Sequence, residues 1–191
     1  MSITSVAAAD LAMYSYVATT DDANAGTGTA GTVNADMQDN TIAGQTLTIN
    51  GTNSETVSVT AAWSAKQVAA AINEKTASTG VSASSITTAT ISTLSADGNI
   101  DFDLGSAKTS LTGVSVTGVV TTDLSSVAAG INDVSGQTGI SAVYDATTNA
   151  ITLTQGEGKD IFIGDFSNSA DGTMNVAGSS AAAVSLASGG A

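Results

Sequence analysis

One stretch of this chain occurs twice, and that echo constrains the fold more than any single motif. Residues 64–83, SAKQVAAAINEKTASTGVSA, return as residues 123–142, DLSSVAAGINDVSGQTGISA. Ile72-Asn73 becomes Ile131-Asn132, and Thr79-Gly80-Val81-Ser82-Ala83 becomes Thr138-Gly139-Ile140-Ser141-Ala142, each 59 residues on without a gap. A fixed-period echo marks a duplicated supersecondary unit.

Local chemistry predicts what each copy encodes. Ser64 stands three residues before Gln67, the capping-box spacing in which hydroxyl and amide satisfy each other's helix-start donors. Asp123 holds the same place in the second copy and predicts the second N-cap; a helix-start cap of this kind contributes roughly 1 kcal/mol. Behind the caps, Ala65, Val68, Ala69 and Ile72 recur at helical spacing, as do Leu124, Val127, Ala128 and Ile131. Each copy therefore predicts one short amphipathic helix, too short to stand alone in water. Gly80 and Gly139 mark where the chain leaves the helix for a strand.

The flanks predict a sheet. Leu47/Ile49 and Val57/Val59 alternate with polar residues about a turn at Gly51-Thr52-Asn53-Ser54, which reads as a hairpin. Residues 98–105, GNIDFDLG, match residues 44–51, GQTLTING, glycine for glycine, and Val114-Ser115-Val116 answers Val57-Ser58-Val59. After the second helix, residues 140–144 and 151–154 form another hairpin about a turn at 145–149. The prediction is an α+β fold: two tandem repeats of β-hairpin, short helix and β-hairpin, with mostly antiparallel sheet.

Within the 191 residues this divides the chain into an entry segment (1–43), a first repeat (44–97), a second repeat (98–166) and a return segment (167–191). The repeats share a seam at 98–105, because Asp101 to Gly105 also matches Asp160 to Gly164 at the same offset. In the entry segment, residues 11–17 read as a strand or part of a short helix, with the strand preferred, and the Asp/Ala/Gly-rich residues 21–31 as a loop or flexible segment. In the return segment, residues 174–176 predict one strand and the Ala/Ser/Gly tail a flexible end. Aromatics make up only 4 % of the chain, so Trp63, Phe102, Phe162 and Phe166 are its few bulky anchors. Thin, modest cores follow, rather than one deep one.

Function classes narrow quickly. The chain has no cysteine or histidine, which removes the thiolate nucleophile, the zinc-thiolate site and the commonest general base. A formal charge of −13 repels phosphate backbones and anionic lipid, so neither nucleic acid nor membrane is an expected partner. Asp97, Asn99, Asp101 and Asp103 alternate like a calcium loop. However, Phe102 sits where the sharp-turn glycine belongs and Lys108 where the closing glutamate belongs. The same alternation places Ile100, Phe102 and Leu104 on a buried strand face and the acids in solvent. Residues 156–160, GEGKD, lack P-loop spacing and read as a hairpin turn. Asn50-Gly51-Thr52 is formally a glycosylation sequon inside a hairpin turn. No serine has an evident base, so no catalytic, cofactor or metal residue is expected and the chain reads as a non-enzyme.

The repeating residues also carry a family resemblance. LTINGT…TVSVT, a helix ending in AIN or GIN, and the following TGVSA or TGISA resemble the repeat in the surface-exposed insert of bacterial flagellins and of hook-associated and filament-cap proteins. The resemblance covers residues 44–166 in two copies, and the proline-free, Ala/Ser/Thr-rich acidic composition is similar to that of flagellins. Flagellins begin and end with long heptad-patterned helices that this chain does not carry, so it resembles the outer portion, with Met1 as an expression start. The resemblance implies a structural outer domain of an extracellular filament, contributing to its surface and to motility. Its expected partners are neighbouring flagellin subunits and exposed host receptors or glycans, and the isolated chain is expected to be monomeric. An adhesin-like or glycan-binding module, or the insert of a cap or hook-associated protein, is the alternative.

Overall fold

A computed structural model of the chain describes residues 17–18, 40, 42–178 and 183–187. In chain order the elements are β1 (Val17–Ala18), β2 (Gln45–Asn50), β3 (Ser54–Val59), α1 (Ala65–Asn73), α2 (Thr76–Thr79), β4 (Thr87–Leu94) and β5 (Gly98–Ala107). They continue with β6 (Ser110–Val119), α3 (Ser125–Asp133), α4 (Ser135–Thr138), β7 (Ile140–Asp145), β8 (Ala150–Gln155), β9 (Phe162–Asn168), β10 (Thr173–Gly178) and β11 (Val184–Ala187). The fold is α+β, mostly antiparallel, with two repeats of similar elements.

Both hairpins predicted ahead of the helices form. β2 pairs β3 from Gln45↔Val59 to Asn50↔Ser54, and β5 pairs β6 from Gly98↔Val119 to Ala107↔Ser110. The hairpin after the second helix forms as well, with β7 on β8 from Ile140↔Gln155 to Asp145↔Ala150. After the first helix the pattern changes. Residues 81–86 form no strand, and β4 pairs β8 and β10 rather than a hairpin mate of its own. The seam strand β5 likewise pairs β9 on its other edge, at Ile100↔Asn168 and Gly105↔Phe162. Strands from the first repeat have thus been drafted into sheets shared with the second.

The result is a four-stranded sheet (β1-β9-β5-β6), a five-stranded sheet (β11-β10-β4-β8-β7) and the β2-β3 hairpin apart from both. The expectation of only thin cores is corrected here. One continuous core draws on both large sheets and α3, with Phe102, Ile131, Ile140, Ile151, Leu153 and Ile163 each at most 2 % exposed. Burial of that kind contributes about 25 cal/mol per Å² of apolar surface. The hairpin β2-β3 and α1 meet in a smaller satellite cluster of Val59, Val68 and Ile72, with Leu47, Ile49, Trp63 and Ala83 half-covered around it.

Four further expectations change. Asp123 does not cap as predicted: the second helix starts one residue late, with Leu124 at the N-cap, although the Asp123 carboxylate still accepts the Ser125 N–H at 2.9 Å. Residues 156–160 do not turn a hairpin, since β8 and β9 lie in different sheets and the turn carries the chain between them. Residues 184–187 of the supposedly flexible tail are strand β11 on β10, with Val176↔Val184. Asp103 is not in solvent but 4 % exposed, because strand burial runs unbroken from Phe102 to Gly105 where β5 is enclosed by β6 and β9. The loop assigned to 21–31 lies outside the described residues. So does the strand assigned to 11–17, apart from Val17, which pairs with Phe162 in β1.

Candidate functional site

The repeated signature builds the same device twice. At the end of α1 the Asn73 side chain donates Nδ2 to the Ala83 carbonyl at 2.9 Å and accepts the Ala83 N–H at 2.8 Å. Asn132 does the same to Ala142, at 2.8 Å in both directions. An Asn amide has one acceptor and one donor face, so it can stand in for a neighbouring strand. Thr79 Oγ1 donates to the Lys75 carbonyl and accepts the Val81 N–H, while Thr138 makes the same pair with Val134 and Ile140. Gly80 and Gly139 close the one-turn helices at φ 71° and 70°, a left-handed conformation that carries little penalty only without a Cβ. The sequence pattern gave this stretch an apolar helical stripe and a glycine exit, and the roles of the Asn and Thr were missed. The signal was their identity at the 59-residue offset: apolar positions tolerate exchange, whereas a two-way backbone clamp needs that amide.

A second constellation joins the repeats. Lys66 of α1 donates its N–H to the Gly158 carbonyl at 2.8 Å and its ammonium to Glu157 at 2.6 Å. Lys159 reaches the same carboxylate at 3.1 Å, and Ser85 Oγ donates to the Glu157 carbonyl at 3.0 Å. These hydrogen bonds, Lys66 first, hold the Glu157 carboxyl below its ordinary pKa. Gly158 (φ 72°) is required for the approach, since a Cβ there would lie 2.4 Å from Ser85. Beside it, the buried Asn40 donates to Asp160 at 3.1 Å and to the Ala62 carbonyl at 3.1 Å. A polar cavity of about 490 Å³ opens nearby, lined by Ser106, Gln137, Thr138, Gln155, Glu157 and Lys159 among others.

The calcium-like acids are dispersed rather than gathered. Asp97 accepts the Thr121 N–H at 2.6 Å, which holds its carboxyl low; Asn99 accepts the Gly118 N–H; Asp101 is exposed and Asp103 buried. Among the described residues no group of three or more acidic, His or Cys side chains is placed to hold a metal. Asn50 of the sequon is exposed and accepts from Ser54 Oγ at 2.8 Å. Also among the described residues, no helix is long and apolar enough to cross a membrane.

The duplication that organises this geometry is one that a family model describes. Residues 46–98 and 99–161 each match the flagellin hook IN motif, and together they span more than half of the chain. The chain belongs to this flagellin-type family. No curated protein matches it. Ile72-Asn73 and Ile131-Asn132, whose asparagines clamp Ala83 and Ala142, fall one pair in each matched stretch of this flagellin-type chain.

Proposed function

We propose that this chain is a surface-exposed outer domain of a bacterial flagellar filament protein, carried outside the cell and assembled beside neighbouring flagellin subunits. The observation that carries the reading is the pair of flagellin hook IN motifs in tandem. The role is structural rather than catalytic, and it supports motility through the filament surface. A charge of −13 suits a hydrated outer face better than a packed filament core. The domain layout follows the same reading: an entry segment to residue 43, repeats at 44–97 and 98–166, and a return segment.

Antibodies raised against this chain and imaged on intact flagella test the proposal. Label along the whole filament is expected. Label confined to the tip or to the hook junction would instead assign the chain to a cap or hook-associated protein. No label on intact flagella would sink the surface reading.

A further inference from the structure

The two copies of the clamp hold unequal edges. In the second repeat, Asn132 grips Ala142 from one side of β7, and β8 pairs the other side through Ser141↔Thr154 and Val143↔Thr152. Backbone groups of an antiparallel strand point alternately to its two sides, so Ser141 and Val143 are the residues that face β8. In the first repeat, Asn73 grips Ala83 in the same way, which leaves Ser82 and Ser84 facing outward. Residues 81–86 alternate in burial as β7 does: Val81 is buried, Ala83 half-buried, and Ser82, Ser84 and Ile86 exposed, Ile86 at 50 %. Yet among the described residues no backbone hydrogen bond reaches Ser82 or Ser84. The strand that follows, β4, pairs β8 and β10 instead.

We propose that residues 81–86 form an open β-edge that accepts an antiparallel strand from another protein chain. The inference does not depend on the filament assignment. The second repeat shows the chemistry of the occupant. β8 (AITLTQ) is uncharged, with Ile151 and Leu153 buried in the core and the exposed Thr152 facing out. The receiving site has the complementary character, because Leu47, Ile49, Trp63 and Ala83 are half-covered around the satellite core. An incoming strand with apolar residues at alternate positions would make the ladder hydrogen bonds and cover those side chains, the usual logic of strand addition. A negatively charged strand is disfavoured by the −13 of the host. On the pattern of β8, the donor is a segment without acidic residues that alternates branched apolar and hydroxyl residues.

The test uses the intact, isotopically labelled chain and the synthetic peptide TNAITLTQG, which copies residues 148–156. The peptide is expected to shift the Ser82 and Ser84 amides saturably, to slow their exchange, and to change the emission of Trp63, the chain's single tryptophan. A scrambled peptide should do none of these. Ser84→Pro removes one outward N–H and should weaken binding about tenfold or more, while the Ala142 amide stays protected and reports an intact fold. Exchange on the unmodified free chain is an independent check, with the Ser82 and Ser84 amides expected to be fast. Protection of those amides without peptide would overturn the proposal by assigning the edge to the chain's own residues. Absence of a saturable shift, or equal binding to Ser84→Pro, would overturn it directly.

Discussion

The two repeats share a helix, a clamp, an αL glycine and a leading hairpin, yet one is embedded in the main core and the other is a satellite. The difference lies in which strands each copy kept. In the second, β7 and β8 close a hairpin whose inward residues Ile140, Ile151 and Leu153 are fully buried with Ile131 of α3. In the first, the strands that follow α1 pair elsewhere, so α1 rests on a two-stranded hairpin, and two strands alone are only marginally stable. Duplicated sequence thus fixes the local unit, whereas strand exchange between copies decides how much apolar surface each unit buries.

The largest expected effect tests that asymmetry in the helices. Ile131→Ala opens a cavity in the shared core and should cost about 3–5 kcal/mol of global stability, near the top of the range for such truncations. Ile72→Ala should cost about 2–3 kcal/mol, since the half-covered satellite can collapse more readily. Urea unfolding measures both. Equal losses would mean that the repeats are energetically equivalent and that the comparison is wrong.

Removing the clamps should come next. Asn73→Ala and Asn132→Ala each strip two hydrogen bonds from a backbone unit, worth about 1–3 kcal/mol where the groups are left unsatisfied. β7 keeps its ladder with β8, but residues 81–86 have no ladder partner among the described residues. The loss of extended-backbone chemical shifts should therefore be far larger over residues 81–86 in Asn73→Ala than over residues 140–145 in Asn132→Ala. The reverse order would show that something else holds the first edge.

A smaller change should not distinguish the repeats at all. Gly80→Ala and Gly139→Ala force a Cβ into matching left-handed positions, with neighbours at 3.4 and 3.3 Å, and each should cost about 1 kcal/mol. Lys75→Ala, which loosens a 3.8 Å contact to Glu55 at the surface, should cost under about 0.5 kcal/mol.

The same contrast explains what was legible in advance. Caps, helical stripes and hairpin turns are decided within a few residues, so Ser64, Ile72 and the turn at residues 51–53 could be read directly from the chain. The partners of β4 could not. Its alternation announces a strand, but β8 and β10 are each more than 50 residues away, and the pattern does not encode which edge it meets. Asp103 was misplaced for the same reason, because its burial depends on β9 lying against β5. The clamp was visible as the repeated Asn and Thr, but repetition alone does not say which backbone a side chain will grip.

The finest distinction concerns how the satellite is held to the body, and pH should expose it. Glu157 accepts from Lys66 and Lys159, and both hydrogen bonds favour its ionised form, so its folded pKa lies below the ordinary 4.5. A carboxyl lowered on folding contributes stability that is fully present above its unfolded pKa and lost as pH falls through the folded one. The joint should therefore be intact at neutral pH and loosen only as acidity passes below about 4.5. The Lys66 amide, which donates to the Gly158 carbonyl, is the reporter. Its exchange, corrected for the intrinsic effect of pH, should quicken in Glu157→Gln at neutral pH and match the unmodified chain in acid. High salt should shrink the difference, because the bridge is about half exposed. Asp123 in the second repeat is also held low, mainly by its hydrogen bond from Ser125, but it ties the start of α3 within its own unit and not across the joint. Asp123→Ala should consequently leave Lys66 exchange unchanged at every pH. A change there would mean that the satellite and the body unfold as one unit.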